Sequence, residues 1–296
     1  MDIRAILMGL AFAAMWSSAF TSARIIVASA PPLTTLAFRF LISGLIAVII
    51  ARLMKQTWHL TRAQWRATII FGICQNGLYL GLNFVAMQWV EASLAAIIAS
   101  TMPLLVALAG WLFLKDAPKP VAMVGLAAGI AGVALVMGTR LGQGVDLTGV
   151  ILCLVGVLAL TVATMALRGA LSGGNYMMIV GLQMLIGSAF LWPFGLAFES
   201  LEVIWSPQLV AAFVYTTLVP GLAATFIWVL LVNRIGAVRA ATFHFLNPFL
   251  GVAFAALLLG EQLRTSDFIG VLVIAAGILA VQLSHVVEIR KMQDKT

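Results

Sequence analysis

Long apolar runs, each separated from the next by a few polar residues, fill this chain. Ten are read, at 5–27, 33–53, 66–88, 92–114, 119–138, 147–168, 175–198, 207–231, 238–259 and 266–287. Each approximates the 20 or so residues that an α-helix needs to cross the hydrocarbon of a bilayer. The apolar positions are continuous rather than alternating, which excludes the two-residue pattern of a membrane β-barrel. In lipid, backbone polar groups must then be satisfied within helices. The pattern therefore predicts an all-α polytopic membrane protein with ten transmembrane helices and no room for a soluble domain. Ala28-Ser29-Ala30 has the small-x-small form of a signal-peptide cleavage site. The apolar stretch before it exceeds a signal h-region, so the first run is read as a span.

Composition agrees with the pattern. The 296 residues are 63% hydrophobic and 9% charged, with a mean hydropathy of +1.11, far from the balance of a soluble domain. The net charge of +7 invites a nucleic-acid reading, but its distribution points to topology. With the amino terminus inside, alternation places Arg4, Arg52, Lys55, Arg62, Arg66, Lys115, Lys119, Arg168, Arg234, Arg239, Arg290, Lys291 and Lys295 on the inner side, and only Arg24, Arg140 and Arg264 outside. Such a bias sets orientation. It implies two cytoplasmic termini, a plasma membrane (the inner membrane of a bacterium), the lipid bilayer as partner and no nucleic acid. Cys74 and Cys153 fall in separate spans and read as small core residues.

The chain also repeats itself. Residues 100–116 read STMPLLVALAGWLFLKD and residues 245–261 read FLNPFLGVAFAALLLGE, with proline and acidic residue in the same frame 145 positions apart. Ala92-Ser93-Leu94-Ala95-Ala96 corresponds to Ala237-Val238-Arg239-Ala240-Ala241, Gly125 to Gly270 and Gly132 to Gly277. Halves 1–143 and 144–296 then hold five spans each. Because five is odd, the second half enters the membrane from the opposite side, giving a 5+5 inverted repeat, an architecture common among secondary transporters. The topology rule accounts for Lys115-Asp116 on the inner side against Gly260-Glu261 on the outer.

Several stretches together resemble the EamA branch of the drug/metabolite transporter superfamily: Trp16-Ser17-Ser18-Ala19-Phe20, Pro31-Pro32-Leu33 followed by Arg39-Phe40, Ala92-Ser93 with Pro103 and Lys115-Asp116, and Pro248 with Leu259-Gly260-Glu261. The resemblance spans essentially the whole chain. It implies ten spans, a central cavity lined mainly by spans 1, 3, 4, 6, 8 and 9, and export of amino acids or related metabolites.

Polar residues inside hydrocarbon are costly and usually face a bundle interior or a watery path. In span 3, Gln75, Tyr79 and Asn83 recur at i, i+4 and i+8 and so share a helix face. Span 9 carries His244 and Asn247 beside Pro248, and span 4 carries Ser100 and Thr101 beside Pro103. An interior proline removes an amide donor and frees a carbonyl, so both prolines are read as kinks or hinges with polar neighbours. Span 1 adds Trp16, Ser17 and Thr21, and span 6 adds Thr161 and Thr164, although hydroxyls in spans commonly bond back to their own helix. Trp16 and Trp228 offer aromatic walls to a ligand. These residues form the expected path of a small-molecule substrate. Arg39, the lone cation well inside a span, lies about two turns from the end of its helix and is expected to snorkel or cap loop carbonyls. Gly125, Gly129 and Gly132 read as a close-packing face whose partner, within the chain or in a dimer, is left open.

These features favour a secondary exporter working by alternating access, with an exporter of amphipathic drugs or organic cations as the alternative. No Asp or Glu lies well inside a predicted span, so carboxylate-based ion coupling has no evident site. An intramembrane enzyme would need paired aspartates, a metal cluster or an activated nucleophile. There is no H-E-x-x-H, and His59, His244 and His285 are far apart. No cofactor or metal is expected. A conducting channel would show flux without saturation, and a purely structural protein would lose stability rather than flux when span 3 is altered.

Overall fold

The structure, a computed structural model, describes residues 3–114, 120–141, 144–166, 175–235, 240 and 242–293. Lys115-Asp116 and residues 237–239 and 241 of the sequence repeat lie outside them. The described residues form helices throughout: α1 Ile3–Val27, α2 Pro32–Leu53, α3 Arg62–Ala86, α4 in two pieces Ala92–Ala99 and Met102–Leu114, α5 Pro120–Leu141, α6 Leu147–Ala166, α7 Tyr176–Phe198, α8 from Pro207–Thr216 through Thr217–Ala223 to Ala224–Ile235, α9 from Thr242–Leu246 into Asn247–Leu259, and α10 Thr265–Gln293. Nine are long and apolar enough to cross a membrane, and Phe243–Leu259 is a shorter apolar helix. The tenth run reaches six residues further than its apolar pattern, into a polar end.

Two compact units emerge, and each draws on both sequence halves. One comprises Met1–Thr21, Ala92–Asp146 and Ile227–Thr296, the other Ser22–Glu91 and Leu147–Phe226. Thus α1 and α8 contribute to both. In the first unit α4 meets α9 and α5 meets α10; in the second, α2 meets α7. Every one of these pairs joins helices that correspond in the repeat, and they run antiparallel, as an inverted repeat requires.

Glycines permit the closest approaches. A side-chain carbon on Gly125 would lie 2.7 Å from the Gly277 carbonyl, and one on Gly132 would lie 3.0 Å from that of Gly270. The glycine face of α5 therefore closes on α10 within one chain. The α2–α7 pair repeats the device, with Gly44 3.1 Å from the Gly181 carbonyl and Gly181 3.0 Å from that of Gly44.

Carboxylates at the ends of these pairs cap the partner helix. Glu199, following α7, accepts hydrogen bonds from the Leu33 and Thr34 amides at 2.6 and 2.8 Å. Glu261, following α9, accepts from the Ala92 and Ser93 amides at 2.8 and 3.0 Å. Each satisfies free amides in a first turn and complements the positive end of a helix dipole. Glu199→Ala is expected to lower stability by about 1–2 kcal/mol, read as an earlier thermal unfolding transition in detergent, with Glu199→Gln recovering part of the loss. Gly260 has a second reason to be glycine: it ends α9 at φ +69°, a left-handed position that favours a residue without Cβ. Charge topology alone was an incomplete account of that position.

Candidate functional site

The repeat governs where helices are interrupted. In α3 residues Gly72–Tyr79 adopt π-helical geometry, and in α8 Thr217–Ala223 do the same, starting 145 positions apart. The second pieces of α4 and α9, Met102–Leu114 and Asn247–Leu259, correspond at both ends with the same offset. π-Turns inside helices often mark functional positions. Four interruptions in two equivalent pairs are a property of the fold rather than local accidents.

The prolines act differently from the expectation. Pro103 and Pro248 each sit second in a new helical piece rather than in a helix interior. There the missing N–H is one that would have no intrahelical partner. The break in α4 precedes the proline, at Ser100 and Thr101, whose hydroxyls donate to the carbonyls of Ala96 at 2.6 Å and Ile98 at 2.7 Å. Those hydroxyls satisfy acceptors at the break. Thr161 and Thr164 likewise donate to Val157 and Leu160 of their own helix.

In the first unit, three of the expected residues pack around one that the sequence reading omitted, Phe12, and Ser17 and Asn247 join them through hydrogen bonds to His244 and each other. The Phe12 ring is 2% exposed, with Trp16 at 5.7 Å, Trp228 at 4.6 Å and His244 at 5.4 Å between centroids. Trp228 and His244 are also in edge contact at 5.2 Å. Phe12 and Trp16 lie one turn apart on α1, an i, i+4 aromatic pair that was visible in the sequence. The polar edge is a short chain: Ser17 donates to the Asn247 side-chain oxygen at 3.4 Å, and the Asn247 amide nitrogen lies 3.0 Å from His244 Nδ1. An amide nitrogen only donates, so His244 accepts at Nδ1 and holds its proton on Nε2. Thr21, one turn beyond Ser17, has a buried hydroxyl with no hydrogen-bond partner. The arrangement offers aromatic walls, one imidazole N–H and a free hydroxyl, suited to a small polar ligand with an apolar or cationic portion.

In the second unit Tyr79 and Asn83 are almost fully buried, while Gln75 is partly exposed. The expected i, i+4, i+8 face assumed regular α-helical turns. The π-helical stretch, closed by a Leu80 amide bond to the Gln75 carbonyl, shifts Gln75 relative to the residues after it. Asn83 donates to the Tyr79 carbonyl at 2.8 Å. Its amide also stands 2.8 Å from where a side-chain carbon on Gly156 would be, so α6 approaches at this point. Asn76, not singled out from sequence, donates to the Gln183 carbonyl of α7 at 3.0 Å.

Arg39 departs from expectation. It is 6% exposed, so its side chain does not snorkel, and its Nε has no hydrogen-bond partner. The sequence reading counted Arg140 only as an outer-side charge; the structure pairs it with Asp267 at 2.8 Å, with 1% and 0% exposure. Among the described residues, no group of three or more His, Cys, Asp or Glu is placed to hold a metal ion.

Comparison with known proteins adds a family to this geometry. The EamA-like transporter family model matches residues 3–138 and again 147–283. The chain is similar to the Uncharacterized transporter YvbV of Bacillus subtilis (26% identical, covering 90% of this chain and 88% of that protein). It is similar to Protein PecM of Dickeya dadantii (24%, covering 85% and 83%) and to the Uncharacterized inner membrane transporter YedA of Escherichia coli K12 (26%, covering 91% and 87%). A crystal structure of a protein 18% identical shares the fold, with a TM-score of 0.69 over 96% of this chain and 99% of that one.

Proposed function

The chain belongs to the EamA-like transporter family, and from that premise we propose that it exports amino acids or related small metabolites by alternating access. It is a multi-pass membrane transporter; the substrate class, the direction and the residues that bind are the proposal. The observation that carries it is the pairing of helix irregularities at one offset: π-helical stretches in α3 and α8, and new α-helical pieces that begin after a break in α4 and after a 3-10 turn in α9. Halves 1–143 and 144–296 then have equivalent bending points, and an inverted repeat can exchange the two halves' shapes. Within the first unit, Trp16, Ser17, Trp228, His244 and Asn247 bind the substrate, the rings taking its apolar part and the imidazole N–H and Asn247 its polar part. Within the second unit, Tyr79 and Asn83 are read as a separate polar position on the substrate's path. The inner-side excess of Lys and Arg supports two cytoplasmic termini, and the span interiors offer no evident carboxylate for ion coupling.

The test is uptake of radiolabelled amino acids into proteoliposomes without ion gradients. Saturable flux is expected, suppressed by unlabelled competitor and lowered about tenfold by His244→Ala or Asn83→Ala, the scale of one or two lost hydrogen bonds. No flux for any amino acid from folded protein would overturn the reading. The same aromatic walls suit an organic cation, which gains if a labelled quaternary amine is carried instead.

A further inference from the structure

The second unit holds a buried cation whose hydrogen-bonding capacity is not used up by the protein. Arg39 lies seven residues into α2, about 10 Å from its start. Its guanidinium has no carboxylate partner among the described residues, and Nε donates to nothing. Among the described residues, the π-face it meets is that of its own neighbour Phe40, with 5.0 Å from Cζ to the ring centroid. A buried charge without a partner is among the costliest features a membrane helix can carry. The other described buried cation, Arg140, is fully paired, so the fold can match a guanidinium where the role is structural.

What faces Arg39 is the π-helical stretch of α8. A side-chain carbon on Gly221 would stand 3.4 Å from Arg39 Nη2, 3.1 Å from the Thr216 carbonyl and 3.6 Å from the Ser43 hydroxyl. Pro220 beside it has no N–H to give. Ser43 is one turn from Arg39 on the same face of α2, and donates to the Thr217 carbonyl only at 3.5 Å, a long and weak bond. Glycine at 221 therefore leaves the guanidinium edge uncovered by side chain, with a weakly held hydroxyl beside it.

We infer that Arg39, Ser43 and the side-chain-free backbone at Gly221 form a subsite for a carboxylate on the transported molecule. One guanidinium supplies one positive charge and a planar fork of donors, the match for a monoanionic carboxylate. Ser43 turns its hydroxyl from the distant Thr217 carbonyl to the bound group. This deepens the amino-acid reading above and rests on it for the identity of the substrate, but it is tested separately.

The experiment is thermal melting of the full-length protein in detergent against paired ligands: the twenty amino acids, their methyl esters, their decarboxylated amines, and carboxylates lacking the amine such as 4-methylpentanoate. Carboxylates are expected to raise the wild-type melting temperature while the matching esters and amines do not. Arg39→Met without ligand is expected to melt above wild type, because it removes an unpaired buried charge, and to lose the carboxylate-dependent shift. Gly221→Ala, which keeps the charge and fills the space, is expected to weaken carboxylate binding about tenfold or more. Arg39→Met that melts lower or fails to fold would make Arg39 a structural residue and overturn the inference. So would esters that stabilise the wild type as well as acids, or no shift from any carboxylate. Amino-acid flux that survives Arg39→Met unchanged sinks the subsite and leaves the transporter reading standing. Arg39-dependent binding of amine-free carboxylates, with no amino acid bound, supports the subsite and sinks the amino-acid reading.

Discussion

Arg140→Ala is expected to lower the stability of this protein by about 3–5 kcal/mol, the cost of leaving one member of a buried ion pair uncompensated. The pair is two-pronged: Arg140 Nε and Nη2 donate to the two Asp267 oxygens at 3.2 and 2.8 Å. Nη2 also reaches the Ser93 hydroxyl at 3.3 Å, and the Arg264 amide donates to Asp267 at 3.1 Å. The guanidinium at the end of α5 thus holds the starts of α4 and α10 together. Removing it strands Asp267, which is 0% exposed. Asp267→Asn should lose a comparable amount, because it strands the buried Arg140 guanidinium and turns an amide NH2 toward it, although the amide oxygen still accepts from the Arg264 N–H. The double variant Arg140→Met, Asp267→Leu should recover most of the loss, since a buried pair replaced as a unit leaves no orphaned charge. Chemical unfolding monitored by tryptophan fluorescence checks this series. A double variant as unstable as the single one would show that the hydrogen bonds to Ser93 and Arg264, rather than the charges, hold these ends.

Gly277→Leu is expected to disrupt the α5–α10 pair more severely than a substitution at most other described glycines. A side-chain carbon at 277 would lie 2.5 Å from the Gly125 carbonyl oxygen and 2.9 Å from the Gly129 nitrogen. These are backbone atoms, so the neighbour cannot swing aside and the helices must separate. Insertion into close-packed structure costs about 1–3 kcal/mol for added methylenes that force shifts, and helix separation adds lost packing to that. Gly110→Leu is the matched control, since nothing lies within 4 Å of the added carbon there. Yield of monodisperse protein and its melting temperature report the difference. If both variants behave like wild type, the close approach of α5 and α10 does not hold this pair.

The ten spans were legible because a bilayer forces each crossing segment to be apolar over a set length and leaves no other elements to choose from. The inverted repeat was legible from an odd number of spans per half and one offset, and the antiparallel α2–α7, α4–α9 and α5–α10 pairs agree with it. Ser17, His244 and Asn247 were singled out because polar groups in hydrocarbon are rare enough to stand out, and the structure places them in one hydrogen-bonded chain. Phe12 was missed because an aromatic residue among aliphatic ones carries no such signal. The prolines were identified, but their position in the first turn of a new helical piece was not, since proline in an apolar run marks a discontinuity without saying on which side the helix restarts.

The amino-acid sequence by itself determined the class of molecule, its number of spans and the symmetry of its halves, all consequences of local hydropathy and charge counted along the chain. Only the tertiary structure decided which charges are paired and which are not. Arg140 and Arg39 look alike in sequence, each a single cation in or at the end of an apolar run. One meets Asp267, 127 positions away, and the other meets a glycine and a bent backbone. Pairing depends on distances between helices far apart in the chain, which hydropathy does not encode.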